Sequence, residues 1–328
     1  MAAGLQRVCV YIMQHNDCAD NSCYKIENMR MHIRLIMNRF VMAIGLTTLL
    51  TLIACGGKTV SEKRQIVVSI QPLEGIVCEI VGEDFEVVTL LPSGSSPESY
   101  SPTTRQIAST STAEHLFYTG VLNFENELLQ RFDKEQNSTL LTNVSNGIEL
   151  LSGGDCDHEH HAEGHAHHHA VDPHIWLSPS TLEVIVDNIA GAIIEANPDS
   201  LHYVVNYEAL KSKIVAQKEL FRERLASAPR EFLIYHPALG YLADEYGLEQ
   251  ISLEKEGKSP TPSSLAGIVD KVAKRGVKVM LYQQEYPLDV VKPIAEMLNV
   301  KLVNINPLSE DIIDELNYIV EQLTNNYE

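Results

Sequence analysis

The chain has 328 residues, of which 25 are basic and 44 acidic, so its formal net charge at pH 7 is −19. This charge argues against nucleic-acid binding and fits both a cation-binding surface and simple solubility. The length exceeds that of one typical domain of about 100 to 200 residues and predicts two domains. Of the six cysteines, four lie in or at the end of the leader described next, so we expect no disulfide framework.

The N-terminal region has the organisation of a bacterial lipoprotein signal. Arg39 precedes an apolar run from Val41 to Leu52, and the run ends at Leu52-Ile-Ala-Cys55. An apolar core of about 12 to 15 residues after a positive residue is typical of a secretory signal and is short for a membrane-spanning helix. We therefore predict lipid attachment at Cys55 and an extracytoplasmic place in the bacterial cell envelope. The alternatives are an uncleaved membrane anchor and a buried helix.

Residues 1–36 stand before this signal and do not resemble part of a fold. They contain three cysteines, several methionines and no hydrophobic period, and Met31 and Met37 are both candidate starts. We interpret 1–54 as leader and signal peptide and 55–64 as a lipid-anchored linker. The alternative for 1–36 is that these residues are not translated.

From Gln65 onward, short β-branched runs alternate with amphipathic stretches, a rhythm typical of parallel sheets covered by helices. The rhythm occurs in two halves that match in pattern but show no residue-level repeat. In the first half we predict strands at 65–70, 87–91, 115–118 and 139–141, with helices at 74–81, after 103 and at 123–130. In the second half we predict strands at 232–235, 249–253, 277–282 and 301–305, with helices at 239–246, 263–275, 289–298 and 310–325.

A long helical pattern separates the two halves. Apolar residues from Leu201 to Leu225 recur at steps of three and four, with charged residues between them. About 25 residues at 1.5 Å per residue would span about 37 Å, enough to run the height of two lobes. We predict a stiff linking helix at 201–228 between an α/β lobe at 65–200 and another at 229–328. The alternative is an ordinary surface helix of one domain.

The tract at 155–169 holds seven of the 13 histidines and shows no hydrophobic period, so we predict a flexible loop. Imidazole is a favoured ligand for zinc, copper and nickel, and such a tract can bind these ions without a preformed cage. An expression tag is the competing interpretation, but the tract is internal and interleaved with Asp and Glu. The predicted auxiliary metal ligands are His158, His160, His161, His165, His167, His168 and His169.

Directly after this tract stands Asp172-Pro-His-Ile-Trp-Leu-Ser-Pro179. A segment of this kind behind a histidine-rich loop resembles the zinc and manganese class of ABC-transporter substrate-binding proteins, and the resemblance covers nearly all of 65–328. It implies two lobes, each with a parallel four-stranded sheet, joined by one rigid helix. It also implies one metal ion in the cleft between the lobes, held by one ligand from each of four segments.

By this resemblance His174 matches the second ligand of the family and His236 the third. His236 stands just past the end of an apolar strand, where α/β sheets place their ligands. Manganese members tend to carry a carboxylate at the position of His236. Because zinc prefers nitrogen donors and manganese prefers oxygen, the histidine favours Zn²⁺ over Mn²⁺ as the cargo.

The other two ligand positions depart from the family pattern. Glu98 stands where the first ligand is a histidine, and Asn306 stands where the fourth is an aspartate. A carboxylate binds zinc at about 2.0 to 2.2 Å, whereas an amide is a poor zinc ligand. The two changes together keep one negative charge at the site, which is our hypothesis for their coexistence. Glu285 or a water molecule is the alternative fourth ligand, and Gln283 stands where the family often has a glutamate.

The resemblance implies a non-enzymatic receptor that captures Zn²⁺ and passes it to a membrane permease driven by a separate ATPase. No P-loop motif occurs in the sequence, so any ATP hydrolysis belongs to a partner. We expect a monomer held to the membrane through Cys55. The alternatives are a manganese-binding homologue, a surface adhesin of the same family, and a secreted zinc hydrolase. The hydrolase lacks support because neither His-Glu-x-x-His nor Gly-x-Ser-x-Gly is present.

Overall fold

The computed structural model describes residues 64–132, 138–153, 171–254 and 258–325, with five isolated positions in the leader. The predicted lipid site at Cys55 and the histidine tract at 155–169 lie outside the described residues. Within the described ranges, no helix combines the length and apolar character needed to cross a membrane. Residues 63–328 form one compact unit.

The first half of this unit contains a four-stranded parallel sheet in the order β2-β1-β3-β4. Ile66 on β1 pairs with Val87 on one side and with His115 on the other, so β1 is a central, buried strand. Its elements are β1 (Arg64–Val68), α1 (Gln71–Val81), β2 (Phe85–Thr89), α2 (Thr104–Thr110), β3 (His115–Tyr118), α3 (Asn123–Arg131) and β4 (Leu140–Asn143).

The second half contains another parallel sheet in the matching order β6-β5-β7-β8. The predicted fold class, two parallel four-stranded sheets flanked by helices, is confirmed. The elements are β5 (Glu231–Ile234), α6 (Gly240–Tyr246), β6 (Glu249–Ser252), α7 (Pro262–Arg275), β7 (Val279–Gln283), α8 (Leu288–Leu298), β8 (Lys301–Ile305) and α9 (Ile312–Asn325).

Two helices lie between the sheets in the chain. The sequence analysis did not predict the first, α4 (Pro179–Ala196), although its buried residues recur at three- and four-residue steps. Pro179 occupies the first turn, where a missing N–H costs nothing. The second, α5 (Leu201–Leu225), is the predicted long helix, and it packs against α1 and α4 of the first half and α9 of the second.

The two halves share one hydrophobic core. Buried residues of the first sheet, such as Val67 and Phe117, belong to the same cluster as Ile234 and Leu281 of the second sheet. A smaller cluster covers the opposite face of the second sheet. Because one continuous core crosses the boundary between the two halves, close packing fixes the relative positions of side chains at the facing ends of the two sheets.

Gly75 marks a close contact between the two halves. A Cβ atom at this position would stand 1.9 Å from the backbone oxygen of Glu310, in the loop before α9. We expect Gly75→Ala to destabilise the protein by about 1 to 3 kcal/mol through overpacking, which outweighs a gain in helix propensity of about 1 kcal/mol. Urea unfolding of the metal-free protein measures this. Gly191→Ala, a helical glycine with no atom within 4 Å of the added Cβ, is the matched control and should stabilise.

Candidate metal site

The candidate ligands stand at the carboxyl ends of strands, on the loops that α/β sheets use for binding. Glu98 lies between β2 and α2, and His174 lies between β4 and α4. His236 comes two residues after β5, and Glu285 comes two residues after β7. Because the two sheets share a core, these four loops meet at one cavity that residues from both halves line. The lining residues include Glu98, His174, Trp176, His236, Gln283, Glu285, Tyr286 and Pro307.

Three of the predicted ligands form a cluster with metal-binding geometry. One donor atom from each of Glu98, His174 and His236 lies within 4.8 Å of the others, and this is the one such group found among the described residues. Nε2 of His236 is 3.2 Å from Oε1 of Glu98, and the two imidazole rings are 5.2 Å apart between centroids. An ion between them would replace the direct contact of His236 with Glu98.

Asp172 fixes His174 in place. Its Oδ1 accepts hydrogen bonds from the backbone N–H of His174 at 3.0 Å and from the ring Nδ1 at 2.8 Å. A carboxylate only accepts, so Nδ1 carries a proton and Nε2 is the ring nitrogen left to bind a metal. Gly240 permits this arrangement, because a Cβ there would stand 2.2 Å from Oδ2 of Asp172.

His236 is held on both sides of its ring and through its backbone. Its Nδ1 is 3.2 Å from Oε2 of Glu254, while Gln283 exchanges two hydrogen bonds with the His236 backbone. Burial alone would lower the pKa of His236, but hydrogen bonds to Glu254 and Glu98 overcome this and raise the pKa to about 9. The metal-free protein therefore carries an imidazolium here at neutral pH.

The loop that carries Glu98 is anchored at its beginning. The carbonyl of Leu90 accepts hydrogen bonds from Tyr100 and Gln106, and Gln71 donates to the carbonyl of Leu91. The hydrogen bond from His236 lowers the pKa of Glu98 against the opposing effect of burial, so Glu98 is ionised at neutral pH. Its side chain remains 40% exposed, which makes it the ligand nearest to solvent.

Asn306 and Glu285 differ in their hydrogen bonds and in their position relative to the cavity. The Oδ1 atom of Asn306 accepts a hydrogen bond from Nε2 of Gln284 at 2.9 Å, and Asn306 is not among the residues that line the cavity. Glu285 does line the cavity, and its buried Oε1 has no hydrogen-bond partner among the described residues. Burial raises the pKa of Glu285 despite the nearby His236 and His174. An acceptor atom that is buried and unpartnered at a cation site fits a metal ligand.

The side chains that hold the two ligand histidines were not predicted from the sequence. Asp172 was quoted as part of the motif but not as the partner of His174, although an aspartate two residues before a ligand histidine is a usable signal. Tyr286 was not singled out, and its hydroxyl donates to Glu254 at 2.6 Å. Of the remaining histidines, His115 is buried beside Thr142 and His202 pairs with the exposed Asp84, both away from the cavity.

Metal binding should release a proton from His236. Because the pKa of His236 is about 9, the ion must displace the Nε2 proton at neutral pH. Zinc affinity should then rise by about tenfold per pH unit from roughly pH 7 to 9 and level off above. The stability of the metal-free fold depends on pH in the opposite sense. The protonated ring contributes its full stabilisation below the pKa of His236 in the unfolded chain, and this contribution is lost as the pH rises through the pKa of about 9 in the folded protein. Calorimetry in buffers of different ionisation enthalpy measures the released proton, and equal heats would contradict its release.

Comparison with known families gives a match over most of the chain. Residues 66–327 match the family model described as zinc-uptake complex component A, periplasmic. The high-affinity zinc uptake system protein ZnuA of Bacillus subtilis (strain 168) is 29% identical over 269 residues, which cover 78% of this chain and 84% of that protein. The zinc-binding lipoprotein AdcA of Streptococcus pneumoniae serotype 4 is 28% identical over 290 residues, 85% of this chain but 57% of that protein. This chain thus spans little more than half of AdcA.

Solved structures show the same fold. A crystal structure of ZnuA has a TM-score of 0.71 and 26% identity, with 81% of this chain and 99% of that chain covered. A zinc-bound ZnuA in which residues 138–173 of its own numbering are deleted has a TM-score of 0.70 and 26% identity, with 80% of this chain and 97% of that chain covered.

Proposed function

Since this chain belongs to the family of the periplasmic component A of zinc-uptake complexes, we propose that it captures Zn²⁺ outside the cytoplasm and delivers it for import. The observation that carries the proposal is the cavity in which Glu98, His174 and His236 bring one donor atom each within 4.8 Å. Two imidazole nitrogens with carboxylate oxygens form a donor set that zinc favours. Manganese prefers oxygen donors, so the two histidines support zinc over a manganese-binding role.

The arrangement supports capture rather than catalysis. A catalytic zinc keeps an open position for water beside three protein ligands. Here Glu285 lines the same cavity, and its buried Oε1 finds no hydrogen-bond partner within the described part of the chain, so we propose that it takes the fourth position. A site closed by four protein donors would leave no coordination position for an activated water, which supports a non-enzymatic binding protein over the hydrolase.

The proposed transport partners, lipid anchor and location follow from the family and from the N-terminal leader. The chain would dock on an ABC permease whose ATPase is a separate subunit, and it would work as a monomer tethered through a lipid at Cys55. Its relatives are named as periplasmic or lipoprotein components, which supports an extracytoplasmic place.

We propose the division into a lobe at 65–200, a linking helix at 201–228 and a lobe at 229–328, because α5 packs against helices of both halves. The adhesin role draws no support from the cavity.

The seven histidines of 155–169 are proposed as an auxiliary site. The zinc-bound ZnuA structure with a deletion shows that, in that relative, a segment can be removed with zinc still bound. For this chain we propose that an auxiliary loop and a tight cleft site bind zinc separately. The loop would then buffer or supply zinc and would not hold the transported ion.

Metal titration of the full chain tests the function. We expect one tight zinc site to remain when the seven loop histidines are replaced by serine, and we expect Mn²⁺ to compete weakly for it. Competition against a chromophoric zinc chelator gives the affinity of each variant. Loss of all tight binding with the loop histidines would overturn the cleft proposal, and stronger binding of Mn²⁺ than of Zn²⁺ would replace zinc by manganese as the cargo.

A further inference from the structure

Glu254 occupies a position that the ligand set does not explain. It follows β6, two residues beyond the end of the strand, and its carboxylate is almost completely buried. One oxygen, Oε2, serves two partners: Nδ1 of His236 at 3.2 Å and the hydroxyl of Tyr286 at 2.6 Å. A buried carboxylate is costly unless its partners compensate for lost hydration, so this contact indicates a specific role.

The contact controls which ring nitrogen of His236 faces the cavity. A carboxylate accepts hydrogen bonds but cannot donate them, so Nδ1 must carry a proton toward Glu254. Nε2 is left pointing at Glu98, on the side where an ion would lie. Once the ion has displaced the Nε2 proton, a ring without Glu254 is free to rotate or to hold its remaining proton on Nε2, and either change removes the lone pair from the metal position.

Tyr286 extends this control to a second loop. It follows Glu285 directly in the loop after β7, and its ring lies 6.0 Å from that of His236 in a stacked arrangement. Through Glu254 the tyrosine hydroxyl ties the ends of β6 and β7 to the histidine at the end of β5. The loops that follow β5, β6 and β7 are therefore joined at one carboxylate oxygen.

We propose that Glu254, held by Tyr286, is the positioning residue that fixes His236 for zinc capture. This inference rests on the proposed zinc-binding function of the cavity. Glu254 lies at Nδ1 of His236, whereas Glu98 lies at Nε2, so Glu254 acts through the ring. Carboxylates that do not bind the metal but orient a metal-binding histidine typically contribute about 10- to 100-fold to the metal affinity.

A double-mutant cycle separates this role from a general effect on folding. The parent is the full chain with the seven loop histidines replaced by serine, and zinc affinity is read by chelator competition. We expect Glu254→Ala to weaken zinc binding about 10- to 100-fold. In the His236→Ala background the same substitution should change affinity by less than about twofold, because Glu254 acts through that ring. Tyr286→Phe should give a smaller loss of the same kind.

Conservative and matched variants complete the test. The amide oxygen of Glu254→Gln can accept both hydrogen bonds, so it should restore most of the affinity. Glu249→Ala removes an exposed carboxylate at the other end of β6, paired with Lys271, and should leave zinc binding unchanged. The visible spectrum of the Co²⁺-loaded protein should change in Glu254→Ala and not in Glu249→Ala.

Three results would overturn the inference. They are an unchanged affinity in Glu254→Ala, an equal loss in the presence and absence of His236, and a loss of affinity only together with unfolding of the metal-free protein. If the parent binds zinc tightly and any of these holds, the positioning role alone fails. If the parent shows no tight zinc binding, the proposed function fails, and the positioning role fails with it.

Discussion

Removing the imidazole of either His174 or His236 should reduce zinc affinity by more than about 100-fold. The bound is set by the contribution of residues that only orient a ligand, which is about 10- to 100-fold, so a direct ligand must contribute more. Both rings face one cavity and each is fixed by a carboxylate on Nδ1, so neither can be replaced by a neighbouring side chain. The double variant His174→Ala, His236→Ala should bind no zinc tightly.

The measurement is zinc titration against a competing chelator, with the loop histidines replaced by serine in every variant. His202→Ala is the matched control, because His202 is an exposed histidine that pairs with Asp84 outside the cavity. It should bind zinc as the parent does. Tight binding that persists in the double variant would place the transported ion elsewhere and would remove the basis of the proposed function.

Most strands were predictable because their signals are local. β3 and β8 begin and end where the sequence places them, at runs of apolar and β-branched residues bounded by polar ones. The missed helix α4 carries an equally clear apolar period at Leu182, Ile185 and Ile189, but it lies directly behind the Trp-Leu-Ser-Pro motif. The sequence therefore contains the signal for α4, and a helix over these residues was predictable from it.

Part of the site could likewise be predicted from local sequence signals, and the rest depends on contacts between residues that are distant in the chain. His174 and His236 stand out because each follows a strand or a helix-breaking proline. Glu254 lies 18 positions from the histidine that it contacts, so only the pairing of β5 with β6 brings the two together. The direction of the Asn306 side chain depends on Gln284, which lies on another loop. Such contacts follow from packing and leave no pattern in the sequence.

Glu285→Gln should weaken zinc binding by at least about tenfold, whereas Asn306→Ala should change it by less than about threefold. Glu285 lines the cavity and has a buried oxygen with no hydrogen-bond partner among the described residues, whereas Asn306 is engaged by Gln284 and is not a lining residue. The glutamine has nearly the same shape as the glutamate, so the comparison tests the charge and donor strength of the group and leaves packing intact. Chelator competition on both variants gives the two ratios.

The result also decides the charge balance of the site. The sequence hypothesis assigned one negative charge to the ligands, from Glu98 with an amide in the fourth position. With Glu285 in that position the two carboxylates carry two negative charges, which equal the charge of Zn²⁺ and leave a neutral centre in a half-buried cavity. A large loss in Asn306→Ala with none in Glu285→Gln would restore the single-charge site. The reverse pattern would mean that Glu98 and Glu285 together replace the histidine and aspartate that the family resemblance leads one to expect.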